Sequence, residues 1–347
     1  MSVHEKNFDG TLKELHRPSG GPWGGTKVDD RYIAWLTEMF GKGAMKKLKE
    51  EAMGDYLDIL REFETKKRSV TPDLEGKITL RIPGALKKYH KRSGEENIES
   101  KIARLDLKED IEFKADKLRV SADTARSWFK EPIEGTIRHL TGILSEPALK
   151  DVTSMLLVGG FAECKLMQDA VKKAVGNRMV IIPEEAGLAV LKGAVLFGHR
   201  PRLVSSRLVK FTYGYAISVP FNDRKHPLDK LFINSYGKKM ADDCFEKVVE
   251  IGASVDVGKD IKSPDTLALH KKTVNKINIY ASTERDPEYI TDHSCRKVGT
   301  LELEYTPGES ENDNKIQIYF AFGETELKTT VEFLKTGNVV SSTMNCL

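Results

Sequence analysis

Apolar positions follow two rhythms along this chain, a helical one up to about residue 200 and an alternating one beyond it. Val28, Tyr32, Trp35, Leu36 and Met39 recur at three- and four-residue spacing, which predicts a helix with one buried face. Met45, Leu48, Ala52, Tyr56, Ile59, Leu60 and Phe63 predict a second helix that ends in the charged string 62–68 and stops before Pro72, which cannot continue it. Ile78, Leu80 and Ile82 alternate as a strand, residues 87–97 read as a basic loop, and Ile111 and Phe113 mark another short strand. Ala122, Ala125, Trp128, Phe129, Ile133, Ile137, Leu140 and Leu144 predict a long helix, irregular at Pro132.

Next comes an α/β pattern. Met155-Leu156-Leu157-Val158 reads as a buried strand, Gly159-Gly160 as a turn, and Leu166, Met167, Ala170, Val171 and Val175 as the face of a helix. Val180-Ile181-Ile182 reads as a further buried strand, and 186–197 as a helix of small and aliphatic residues suited to close packing. Beyond Pro201 short alternating runs take over: Ile277 and Ile279; Leu301, Leu303 and Tyr305; Ile316, Ile318 and Phe320; Leu327, Thr329, Val331 and Phe333. Pro307-Gly308, Gly323 and Gly337-Asn338 punctuate them as turns, the pattern of a β-sandwich. At the other end, Asp9-Gly10 between two extended runs predicts a hairpin, so the chain starts inside a sheet.

Length and charge narrow the function classes. A chain of 347 residues accommodates two domains. With 55 Lys and Arg against 52 Asp and Glu, the net charge of +3 provides no global field for nucleic acid or an anionic membrane. The longest charge-free stretch, 211–222, falls short of the ~18 apolar residues of a membrane span. Cys164, Cys244, Cys295 and Cys346 show no metal spacing, and the first residues lack the apolar core of a secretory signal, which points to the cytoplasm or nucleus. The eight histidines show no HExxH spacing, and neither a GxSxG elbow nor a complete Walker loop is present, so no catalytic residue or metal ligand is assigned.

Three features bear on ligand binding. Gly159-Gly160 lies between a strand and a helix, where a backbone without Cβ atoms admits a nucleoside or phosphate, or closes a tight connection. Gly24-Gly25, with Gly20-Gly21 around Pro22-Trp23, opens a helix at Val28-Asp29-Asp30 and reads as an anion loop or as a surface loop. Glu64, Lys67 and Arg68, at i, i+3 and i+4, share one helix face. They suit a base stacked on the guanidinium with ribose hydroxyls on the carboxylate, or a solvated ladder of ion pairs.

In order, these pieces resemble the actin-like ATPase superfamily of the heat shock protein 70 chaperones, and within it the divergent 12A/12B-like branch. The resemblance is carried by Asp9-Gly10-Thr11-Leu12-Lys13-Glu14, Gly20-Gly21-Pro22-Trp23-Gly24-Gly25-Thr26-Lys27-Val28-Asp29, Leu156-Leu157-Val158-Gly159-Gly160-Phe161-Ala162-Glu163 and the run from Ile182-Pro183-Glu184-Glu185 to Phe197-Gly198. It implies an α/β plus β fold: the second lobe of an actin-like, ribonuclease H-like ATPase domain over 1–203, with 41–115 as its outer subdomain, then a β-sandwich-like, peptide-binding domain over 208–347. Tyr280, Arg296-Lys297-Val298-Gly299 and Phe322-Gly323-Glu324-Thr325-Glu326-Leu327 carry the latter. The implied cofactor is ATP or ADP, with Gly159 and Gly160 against adenosine, Gly24 and Gly25 near the phosphates, and Glu64, Lys67 and Arg68 clamping base and ribose. Magnesium is implied with ligands outside this chain. Implied partners are unfolded or signalling-protein peptides.

Three departures shape the expectation. The family's phosphate loop and first lobe are expected upstream of Met1, so this chain alone is expected to bind ATP poorly and hydrolyse little or none. Their absence is expected to leave a sheet face bare near residues 1–15 and to favour association. Glu163 stands where conventional members place an arginine that stacks on adenine, and 201–207 lacks their leucine-rich, acidic linker. The competing expectation is a nucleotide-independent interaction scaffold.

Overall fold

The computed structural model describes all residues except 235, 270–272, 307–311, 324–325 and 346–347. Pro307-Gly308, Glu324-Thr325 and Cys346 thus lie outside the described residues. The chain divides into two compact units: Met1 with Gly20–Leu196, and Ser2–Ser19 with Phe197–Leu347. The expected first domain, 1–203, does not coincide with the first unit. The N-terminal hairpin, Val3–Lys6 with Leu12–His16, joins the second unit because Leu12–His16 pairs in parallel with Val204–Leu208.

In the first unit the helical rhythm becomes α1 (Gly25–Phe40), α2 (Lys42–Glu51) and α3 (Met53–Lys67). The single helix expected between Met45 and Phe63 is two, because Ala52 takes φ −145° and ψ 54° and breaks the ladder. Gly41, at φ 87°, separates α1 from α2 in a conformation that favours glycine. The expected basic loop at 87–97 is mostly helix: α4 (Gly84–Arg92) buries Leu86, Tyr89 and His90 at helical spacing, a face masked in sequence by the surrounding lysines. It is followed by α5 (Ile98–Arg104). A three-stranded antiparallel sheet has Lys117–Ser121 in the middle, flanked by Lys77–Arg81 and Ile111–Lys114. The α6 helix (Ala122–Leu144) runs unbroken through Pro132 and contributes Ala125, Trp128 and Phe129 to the main core. At the centre of that core Tyr32 stacks on Phe63 at 3.9 Å, and Trp128 meets both rings from the side at 5.1 and 5.5 Å.

The α/β pattern is built as Ser154–Leu156, then α7 (Lys165–Val175), then Met179–Ile181 parallel to the first strand, then α8 (Ala186–His199). Leu140 of α6 and Met167, Val171 and Val175 of α7 form a second core, against which Met155, Leu157 and Val180 pack. The two strands are not buried on both faces as their apolar runs predict. Leu156, Val158, Met179 and Ile181 are exposed, and of α8 only Ala186 is buried. Apolar surface is therefore bare here, and near residues 1–15 as well, where Val3–Lys6 is an edge strand of its sheet and Phe8 is fully exposed.

The second unit is β-rich. A five-stranded sheet has the order Leu231–Ile233, Lys239–Val249, Thr212–Pro220, Val274–Ser282, Cys295–Glu304. Another has the order Asp260–Lys262, Lys315–Phe322, Glu326–Phe333, Val339–Asn345, with Leu267–Ala268 as its fifth strand, also paired to Lys315–Phe322. Tyr215, Ile279 and Leu303 of one share a core with Ile318, Phe320 and Val331 of the other. The alternating runs at 277–279, 301–303, 316–320 and 327–333 all fall on strands. The long strands Thr212–Pro220 and Lys239–Val249 are not apparent in the pattern. Thr212, Tyr213, Gly214 and Tyr215 are buried in succession, and the partner strand carries register shifts, so neither alternates cleanly.

Phe63→Ala removes the ring on which Tyr32 stacks. It is expected to destabilise the first unit by about 3–5 kcal/mol, read as a lowered denaturant midpoint in equilibrium unfolding.

Candidate functional site

All seven predicted site residues lie in the first unit, on three segments: the start of α1, the end of α3 and the turn after Ser154–Leu156. Gly24 is the N-cap of α1 and Gly25 its first residue. No side chain caps this end, and the Gly24 carbonyl accepts from the Lys27 amide at 3.0 Å. A Cβ on Gly25 would stand 3.8 Å from Lys67 Nζ and 3.8 Å from the Phe161 ring, so Gly25 looks directly onto the end of α3 and the 159–163 turn. Gly159 adopts φ 93°, in the region that favours glycine. Gly160 opens a single 3-10 turn (Gly160–Glu163), which the Gln168 amide holds by donating to the Ala162 carbonyl at 2.8 Å.

The three segments are joined by a chain of charges. Lys67 Nζ donates to Asp29 Oδ1 at 2.8 Å and Oδ2 at 3.1 Å, and also contacts Glu64. Arg68 donates to Glu64 Oε1 through Nη2 at 3.1 Å and Nε at 3.3 Å. Its Nη1 stands 3.7 Å from Glu163 Oε2, while Glu163 Oε1 accepts from the Gly187 amide at 3.2 Å in the first turn of α8. Three carboxylates thus face two cations, and the order Asp29, Lys67, Glu64, Arg68, Glu163 alternates in sign.

Lys67 is the most enclosed member, with its side chain 13% exposed; Arg68 at 67% is open to solvent. Burial pulls the Lys67 pKa down, but its hydrogen bonds to Asp29 and Glu64 and their charges outweigh this and leave it raised. For Glu64, burial pushes up, and the hydrogen bonds and charges of Lys67 and Arg68 outweigh it, leaving the carboxyl below its ordinary range.

Asp29 is a site residue that sequence reading misses, placing it only in the opening of the helix. A signal for it exists, since a residue four places past Gly25 lies one turn further along the same face. Beside the charge chain, an open cavity of about 710 Å³ is lined by Thr26, Asp29, Ile33, Tyr56, Leu60 and Glu64 among others. Lys67, Arg68 and the glycines of the 159–160 turn are not part of its lining. Among the described residues, no group of three or more His, Cys, Asp or Glu is arranged to hold a metal ion, and no helix is long and apolar enough to cross a membrane.

No family model matches the chain. Heat shock 70 kDa protein 12A of Mus musculus is 33% identical over 353 residues, covering 98% of this chain and 51% of that protein. The 12A protein of Homo sapiens is 33% identical over 350 residues with the same coverage, and the human 12B protein 31% over 358, covering 100% of this chain and 52% of its own length. The chain is a homologue of the heat shock 70 kDa protein 12 family. It spans about half the length of the heat shock 70 kDa protein 12 relatives it matches.

Glu64→Gln tests the charge chain. A carboxyl whose folded pKa lies below its unfolded value stabilises the fold above the unfolded value, and that contribution is lost as the pH falls through the folded value. The thermal midpoint of the wild-type chain is therefore expected to exceed that of Glu64→Gln near neutrality. The gap is expected to close as the pH drops below the ordinary glutamate value of 4.5, in a melting series from neutral to acid.

Proposed function

We propose that this chain contributes one wall of an ATP or ADP site to an atypical chaperone of the heat shock protein 70 type. In this reading residues 1–203 correspond to the second, actin-like ATPase lobe, with 41–115 as its outer subdomain, and residues 208–347 to a β-sandwich-like domain for extended peptides. The observation that carries the reading is the meeting of the α1 start, the α3 end and the 159–163 turn on one chain of charges.

Each residue then has a physical task. The Arg68 guanidinium offers a flat, weakly hydrated face for the purine. Glu64 accepts from ribose hydroxyls, and Lys67, tied to Asp29 and Glu64, fixes where that carboxylate stands. Gly159 and Gly160 let the backbone approach the nucleoside, and Gly24 and Gly25 bring the uncapped amides of α1 toward the phosphates. ATP supplies the phosphoryl group. In this reading the polypeptide alone hydrolyses little or none of it. Magnesium would take its ligands from outside this chain.

One observation favours a second reading, a scaffold that binds partners irrespective of nucleotide. Glu163 stands against Arg68 and anchors to α8 at Gly187, so its charge occupies the guanidinium edge and sits close to where a purine would stack.

Titration calorimetry with ATP and ADP on the purified chain separates the two. The nucleotide reading expects weak binding that Arg68→Ala weakens at least ~tenfold, about 1.4 kcal/mol, and that Glu163→Gln strengthens. No binding by the wild type or by Glu163→Gln at millimolar nucleotide would overturn it and leave the scaffold. Peptide affinity unchanged by nucleotide would favour the scaffold directly.

A further inference from the structure

Positions 128, 131, 135 and 139 of α6, spaced by three, four and four, form one stripe along that helix. Each of them meets α1 or the loop that leads into it. Trp128 lies 5.3 Å from the Trp35 ring and 5.1 Å from that of Tyr32, and Glu131 pairs with Arg31. One turn further on, Gly135 and His139 meet Trp23, whose ring stands 5.4 Å from the imidazole. Numbers rise along α6 as they fall along α1, so α6 is a rail on which the first helix and its entry loop lie antiparallel.

Gly135 is out of place by propensity, since glycine well inside a helix is unfavourable relative to alanine. Its reason is steric. A Cβ at Gly135 would stand 2.5 Å from Cδ1 and Nε1 of Trp23, and a Cβ at Gly21 would stand 2.7 Å from Cζ2 of the same indole. The ring therefore lies between two glycines, one on the rail and one in its own loop, and the Trp23 amide donates to the Gly21 carbonyl at 2.8 Å.

The loop has little else to hold it. Glycines at 20, 21, 24 and 25 leave its backbone free to take many conformations, and Pro22 is exposed. The ion pair of Asp29 with Lys67 fastens α1 one turn inside the helix. No side chain caps the helix start itself, so the placing of Gly24 and Gly25 falls to their neighbour, Trp23.

We infer that Trp23 is a positioning residue for the phosphate side of the site: seated on Gly135, its indole fixes the glycine loop to α6 and thereby the uncapped amides that α1 presents. This rests on the nucleotide reading above and adds a specificity to it. The seat bears on phosphate and not on the nucleoside, whose contacts stand on α3 and the 159–163 turn.

Amide hydrogen exchange on the full chain, read by mass spectrometry, tests the seat without any ligand, using Trp23→Ala, Gly135→Ala and the double variant. Alanine favours the helix at 135, so Gly135→Ala keeps α6, which far-UV circular dichroism checks. Each single variant is expected to speed exchange across residues 20–27 at least ~tenfold, about 1.4 kcal/mol. The double variant is expected to go no further than Trp23→Ala, because both changes remove one contact. Ligand-observed NMR then compares ADP with adenosine, and Trp23→Ala is expected to weaken ADP at least ~tenfold while leaving adenosine unchanged. Unaltered exchange, effects that multiply in the double variant, or equal weakening of ADP and adenosine overturns the inference. A wild type that binds neither ligand removes the nucleotide reading and with it the phosphate role of Trp23, whereas the seat on Gly135 is still decided by the exchange.

Discussion

The Lys67 ammonium group is the point on which the first unit's site turns. It is nearly enclosed, held by a carboxylate from α1 and a carboxylate one turn back on its own helix. An enclosed cation is strongly unfavourable unless such partners surround it, so the position of Lys67 dictates those of Asp29 and Glu64. Asp29 fixes where α1 begins and hence where Gly24 and Gly25 stand. Glu64 fixes Arg68, and through Arg68 the contact to Glu163. One ammonium thus sets the spacing of three segments that are far apart in sequence.

The stacking of Tyr32, Phe63 and Trp128 supports the same arrangement from beneath. Phe63 precedes Glu64, and Tyr32 lies one turn beyond Asp29, so the aromatic core and the charge chain brace the same two helices from opposite sides. The ion pairs alone, partly open to water, would hold this geometry weakly. The rings supply burial and the charges supply register.

What sequence pattern reveals and what it hides follows from the physics of each signal. The buried stripes of α1 and α6 and the alternating strands at 277–279 and 316–320 are legible because one face of each is apolar and the other polar. The α4 helix is hidden because lysines on its outer face dominate a segment whose buried residues number only three. The break at Ala52 is invisible because alanine is a good helix former, and tertiary packing overrides that preference. Glu64, Lys67 and Arg68 are legible as a helical face. Their partner Asp29 is legible only as a residue one turn past Gly25 on the same face, because periodicity describes a single helix and says nothing of which helix stands opposite. The strand runs at 155–158 and 180–182 read as buried, and the error is informative: an apolar run records what a segment is suited to contact, not what covers it in one polypeptide.

Pro132 is a mechanical feature of the first unit. Within α6 it removes the amide that would bond back to the Trp128 carbonyl, so the helix is softest at that turn. The residues before it, Ala125, Trp128 and Phe129, are rooted in the aromatic core, and those after it, Leu140 and Ile143, are buried on the side where Leu140 packs against α7. The proline therefore sits near the junction between two packed bodies that share one shaft. Ile133, Phe161 and Cys164 pack against both cores, so the softened turn lies where the two bodies are stitched together through the glycine turn and the start of α7.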